Sequence, residues 1–169
     1  MAKLKKQHMT IHWKAIVQDD SSIPATEATL KEKATLVGRI GLMMLSVGTG
    51  AWRVRNSMNK VARCLGITCT ADIGLLAISY TCIEGTDTYT QSISNPTTGV
   101  NTHKLMQLEL FMKEFPDKVS TYSVKHIHEV LDEIQKLPAN YKAWNLGLAS
   151  ALACGAFTFL LGGGPVEMC

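Results

Sequence analysis

"ITCTADIGLLAISYTCIEGTDTYTQSIS", residues 67–94, is where the periodicity of the chain changes. On either side, apolar residues recur every three or four positions. Within it, Thr, Ile, Tyr and Ser crowd into short runs, the composition of strands rather than helices. Three antiparallel strands are expected, over "ITCT" (67–70), "LLAISYTC" (75–82) and "TYTQSIS" (88–94). Residues 71–74 separate the first two, and Glu84, Gly85, Thr86 and Asp87 have the composition of a hairpin turn. The middle strand is expected to be the most buried, and "NPTTG" (95–99) to end the sheet.

Helices flank this block. Thr29 and Glu32 form a capping pair, in which the hydroxyl accepts from the backbone three residues on and the carboxylate reaches back. Leu30, Ala34, Val37, Ile40, Gly41, Met44 and Leu45 then give one apolar face. "SVGTGAWRV" (46–54) interrupts it, since Gly48 and Gly50 inside a helix would each cost roughly 1 kcal/mol relative to Ala. They mark a turn between two helices or a close approach of another backbone. Val54, Met58, Val61 and Leu65 resume the stripe, with Arg53, Arg55, Asn56, Lys60 and Arg63 on other faces and Gly66 as C-cap. After the sheet a helix starts at Asn101 or Thr102, turns Leu105, Leu108, Met112 and Phe115 inward, pairs Glu109 with Lys113 outward, and is expected to stop at Pro116 and Asp117. Another covers 123–137, on a stripe of Val124, Ile127, Leu131, Ile134 and Leu137 closed by Pro138. Helices, three strands, then helices predict an α+β fold with helices packed on one sheet, over 29–140, behind a polar tail or linker at 1–28.

The 169 residues are 46% hydrophobic and 18% charged, with a net charge of +3. All 17 Lys and Arg lie at or before Lys142, and the last 27 residues carry only Glu167. The scattered basic residues come with no aromatic RNA-binding motif or zinc-finger spacing, which excludes a nucleic-acid partner. The five cysteines are odd in number and form no C-x-x-C pair, the pattern of free thiols in a reducing compartment. The N-terminus lacks an apolar run long enough for a signal peptide, so residues 1–142 are expected in the cytoplasm.

Residues 143–166 hold no charge, against the roughly 20 apolar residues a span requires. Tyr141 and Trp144 sit where interfacial aromatics gather, and Gly147, Ala151 and Gly155 form a strip on which another helix can pack closely. A C-terminal transmembrane helix over 143–166 is therefore expected, with a buried core helix as the alternative. Lys136 and Lys142 precede it and no basic residue follows, placing 1–142 on the cytoplasmic side. Gly162, Gly163 and Gly164 either end the helix or let backbone carbonyls line a cavity.

Little in the chain has the arrangement of a catalytic or metal site. His126 and His128, two apart on a helix, point about 200° apart and cannot share a metal. No serine lies in a G-x-S-x-G elbow, and Asp132 and Glu133 fall on the expected solvated face. No enzyme activity, cofactor or metal is expected. Arg53 and Arg55 can read a carboxylate with bidentate geometry, or form structural salt bridges.

"MLSVGTGAWRVRNSMNKVARCLG" (44–66) resembles the signature of the threonine/serine exporter N-terminal domain family: a small-residue turn at Gly48-Thr49, an aromatic at Trp52, the pair Arg53-Val54, and a helix ending in Leu65-Gly66. The likeness runs on through "TTGVNTHKL" (97–105), Leu131–Ile134 and "FTFLLGGG" (157–164), covering roughly 35–168, and extends to the split small-dicarboxylate or succinate exporter subunit. Much of that family has Glu where this chain has Arg55, so no acidic role carries over there. The resemblance implies a cytoplasmic domain and the first span of an inner-membrane exporter of threonine, serine or related small amino or organic acids. It would work with further transmembrane segments or a second exporter subunit, with homo-oligomers possible, and would be inactive alone. The alternative is a membrane-tethered binding or regulatory module. The substrate-binding candidates implied are Arg53, Arg55 and Asn101, with Gly48, Gly50, Trp52, Gly66, Gly162, Gly163 and Gly164 as structural motif residues.

Overall fold

The computed structural model describes Trp13 and residues 23–74, 77–94, 99–138 and 143–162. A short 3-10 turn at Ala25–Glu27 leads into α1 (Leu30–Ser46) and α2 (Ala51–Cys64). Then come β1 (Thr68–Ile73), β2 (Ala77–Glu84) and β3 (Asp87–Ser94), followed by α3 (Thr102–Lys118), α4 (Val124–Lys136) and α5 (Ala143–Leu160). The fold is α+β, with one antiparallel sheet ordered β1-β2-β3. Contacts divide the chain into two compact units, Met1–Leu137 and Pro138–Cys169.

Within the first unit, α1 opens on the predicted capping box. Glu32 N–H donates to Thr29 Oγ1 at 3.4 Å, and the Thr29 backbone N–H donates to Glu32 at 3.1 Å. β1 runs three residues further than expected, because Ala71, Asp72 and Ile73 pair with Tyr80, Ser79 and Ile78. Ala and Asp are weak strand formers, and here pairing to a central strand overrides that propensity. Glu84 faces Asp87 across a two-residue loop in which Gly85 takes a φ of 60°. Leu75, Leu76 and residues 95–98 lie outside the described residues.

α1 packs on β2 and β3, and α2 on β1; α3 then packs on α2 and α4 on α1. The helices therefore form two tiers on one face of the sheet, rather than all lying on it. This makes α1 a central helix, buried continuously from Glu32 to Gly41. Its glycines are what allow the approach: a Cβ on Gly38 would lie 2.1 Å from Tyr80 Oη, and one on Gly41 2.6 Å from Met58 Sδ. The other sheet face is a hydroxyl lattice, with Ser79–Ser92 and Thr81–Thr90 bonded across strands at 2.9 Å each.

α3 does not stop at Pro116 but continues to Lys118. A proline inside a helix leaves the carbonyl four residues back without its donor, here that of buried Met112. Lys60 of α2 supplies the missing donor, its Nζ lying 2.8 Å from Met112 O.

In the second unit, the structure does not support the expected span over 143–166. Among the described residues no helix is long and apolar enough to cross a membrane. The 18 residues of α5 rise about 27 Å, short of a hydrocarbon core of roughly 30 Å. Asn145, Gly147 and Ser150 dilute its first half, and Gly162 turns the backbone with a φ of 84° just past its end. Gly163 and Gly164 lie outside the described residues. Trp144, Leu152, Phe157, Phe159 and Leu160 are exposed.

Lys60→Met leaves the Met112 carbonyl without a partner and should cost about 1–2 kcal/mol in urea denaturation. In a Pro116→Ala background the restored Ala N–H satisfies that carbonyl. The cost of Lys60→Met should then fall toward zero, giving a double-mutant coupling of about 1–2 kcal/mol.

Candidate functional site

The turn after α1 and the segment before α3 meet. Gly48 takes a φ of 85°, and Thr49 N–H returns to Met44 O at 3.3 Å. Asn101 N–H donates to Val47 O at 3.3 Å, and a Cβ on Gly48 would lie 3.1 Å from Val100 Cγ2. Gly50 is the N-cap of α2 with an ordinary φ of −62°, so its freedom there is not conformational. Trp52 follows in the first turn, 70% exposed.

From this turn α2 runs alongside α3, and the two enclose a groove of about 330 Å³. Met44 and Met112 form its apolar floor, while Arg53, Lys60, Glu109 and Lys113 supply its charge. Asn56 and Ser57 add neutral polar groups, and Trp52 stands at the lip. Arg53 Nη2 donates to Glu109 Oε1 at 2.6 Å, and both side chains remain nearly half exposed. Glu109 thus reaches across to α2 instead of along its own helix to Lys113. Three cations against one carboxylate leave the groove net positive and suited to a small molecule that carries a carboxylate.

The other expected site residues do not gather here. Arg55, two positions from Arg53 and so on the far side of α2, donates through Nε to Ala71 O at 3.1 Å. The Asn101 side chain accepts from Lys104 N at 3.0 Å and caps α3. Gly66, with a φ of 73°, turns the chain out of α2.

A second polar constellation is buried, and periodicity did not reveal it. Arg39, at 1% exposure, projects from α1 toward α4. Its Nη1 bonds His128 Nδ1 at 2.9 Å and His128 O at 3.0 Å, and its Nη2 bonds Asp132 and, at 3.3 Å, Gln135 Oε1. Trp13 covers the group, with Arg39 Cζ 5.7 Å from its ring centroid and His128 stacked beneath at 6.1 Å. Asp132 is therefore half-buried and paired, not on a solvated face. The available signal was Arg39 as the one charge in residues 34–46, with His128 and Asp132 at i,i+4 on α4. His128 Nδ1 must be an unprotonated acceptor, and burial together with the neighbouring guanidinium pushes its pKa down to about 4 against the opposing pull of Asp132. His126 is exposed on another side of α4.

A family model named ThrE, described as "Putative threonine/serine exporter", matches residues 35–169. The match includes every residue of the α2–α3 groove. No curated protein and no solved structure matches the chain.

Below pH 6.5 the unfolded chain protonates His128 while the folded chain, titrating near 4, does not. Stability should therefore fall as the pH drops through that window, by about 2 kcal/mol between pH 7.5 and pH 5. His128→Asn keeps an acceptor for Arg39 but cannot titrate, so its urea midpoint should lose this part of the pH dependence.

Proposed function

The chain belongs to the threonine/serine exporter family, and from that premise we propose that it is the N-terminal component of an inner-membrane exporter whose α2–α3 groove receives the amino acid. Membership ties the chain to membrane transport; the groove's charges are what support a place for substrate. In this reading residues 1–142 face the cytoplasm. The chain acts with further membrane segments or a second exporter subunit, whose helices cover the exposed strip of Gly147 and Ala151 on α5.

The observation that carries this reading is the Arg53–Glu109 pair, half exposed at the groove. An exposed ion pair is worth at most about 1 kcal/mol, so it opens readily. A free amino acid brings one charge of each sign. Its α-carboxylate takes the guanidinium of Arg53, with Lys113 adjacent, and its α-ammonium takes Glu109. Asn56 and Ser57 offer partners to a side-chain hydroxyl, and Lys60 keeps two N–H donors beyond the one given to Met112. A dicarboxylate finds the same cations but meets Glu109 with like charge. The groove therefore favours threonine and serine over succinate.

Proteoliposomes containing the chain with the remaining exporter segments, loaded with labelled threonine, test this. Arg53→Gln and Glu109→Gln should each reduce efflux by about tenfold or more, the cost of one charge-assisted bond. Arg55→Gln should stay within about twofold, a change below 0.5 kcal/mol. Glu109→Gln should also narrow the preference for threonine over succinate. Full efflux from both groove variants would remove the groove from the substrate path. No efflux of threonine, serine or succinate from the unaltered assembly would leave a tethered module without transport.

A further inference from the structure

Cys69 of β1 and Cys82 of β2 are direct cross-strand partners. Hydrogen-bonded and non-hydrogen-bonded pairs alternate along an antiparallel ladder. Gly74 N–H donates to Ala77 O at 2.9 Å, which makes that pair hydrogen-bonded and, five steps along, Cys69 and Cys82 a non-hydrogen-bonded pair. The other hairpin gives the same answer. Glu84 and Asp87 close its two-residue loop, so Cys82 spends its backbone groups on Tyr89 of β3 and none on β1. The bond from Arg55 to Ala71 O agrees too, since that parity turns the Ala71 carbonyl away from β2. Non-hydrogen-bonded partners have Cα atoms about 4.5 Å apart and the closer side chains, within the roughly 4.4–6.8 Å that a disulfide spans.

The two thiols are not equivalent. Cys82 is fully buried, facing the helices. Cys69 is partly exposed and lines a surface cleft of about 390 Å³ together with Asn59, Thr68 and Arg63. The Arg63 cation on that cleft attracts an anionic reagent. Cys69 Sγ lies 3.8 Å from Thr70 O, its hydrogen-bond acceptor. The neighbouring Cys82 thiol lowers the pKa of Cys69 against the effect of burial, while the pairing with Cys69, together with burial, raises that of Cys82.

We propose that Cys69 and Cys82 form a redox-modification site, in which Cys69 exchanges with a low-molecular-weight disulfide entering the Arg63 cleft and Cys82 resolves the adduct into a cross-strand disulfide. The Cys69 thiolate attacks one sulfur of the reagent, forming a mixed disulfide and expelling a thiolate that takes up the proton Cys69 has lost. Cys82 then attacks Cys69 Sγ, and its proton leaves with the second reagent thiol. The protein loses two electrons and two protons, and one reagent disulfide becomes two thiols. The site is independent of the groove and of any transport.

Equilibrating the full chain in detergent with mixtures of oxidised and reduced glutathione, quenching with acid and mapping alkylated peptides without reduction tests the site. As the mixture becomes more oxidising, two of the five thiols should be lost together, joined as a peptide linking Cys69 to Cys82. Cys82→Ser, or Cys82→Ala if the serine variant does not fold, should stop at glutathionylated Cys69, and Cys69→Ser should form no bridge. Alkylation of all five thiols in every mixture would overturn the proposal. So would a bridge through Cys64, Cys154 or Cys169, or a Cys82 variant left unmodified at Cys69.

Discussion

The guanidinium of Arg39 is the constraint around which the first unit is arranged. A full charge at 1% exposure survives only when it is paired and hydrogen-bonded, and both terminal nitrogens of Arg39 are, while its Nε has no partner among the described residues. All the hydrogen-bond acceptors come from α4, namely His128 twice, Asp132 and Gln135. α1 is also the helix that meets the sheet, through the gap left by Gly38 against Tyr80. One residue thus fixes how the outer helical tier sits on the central helix, while a glycine one position away fixes how that helix sits on the strands. Removing one partner of such a buried pair costs about 3–5 kcal/mol, more than loss of most single apolar contacts around it. Directional bonds set the register here, and apolar burial supplies the bulk of the cohesion.

What could be read from the sequence, and what could not, follows the distance over which each decision is made. The capping box of Thr29 and Glu32, the Gly85 hairpin and the stripes of α2 and α4 are settled within a few residues, and they appear where expected. The end of α3 was misplaced because the donor that rescues the Met112 carbonyl is 52 residues away on another helix. The role of Arg39 is out of local reach for the same reason, its acceptors lying 89 to 96 residues further on. In the C-terminal segment, absence of charge alone predicts a span, whereas helix length and the Gly162 turn limit what α5 can cross.

The candidate site was legible in part. Arg53 was singled out with Arg55, yet two positions on a helix turn side chains to opposite sides. The spacing argument that separates His126 from His128 separates the arginines as well. What no local pattern could give was the partner. Glu109 was assigned to Lys113 by i,i+4 spacing, but it bonds Arg53 once α3 is laid against α2. The groove is a product of tertiary packing between two amphipathic helices, each of which looks ordinary alone.

The proline of α3 has a mechanical side. By withholding one N–H it calls Lys60 onto the Met112 carbonyl, which pins α2 to α3 at one point of the groove through a partly buried bond. About 10 Å away along α2, two helical turns, the helices are held by the half-exposed Arg53–Glu109 clasp. Salt in the solvent therefore screens the clasp near Trp52 far more than the partly buried joint at Lys60, so the two ends of the groove answer ionic strength differently.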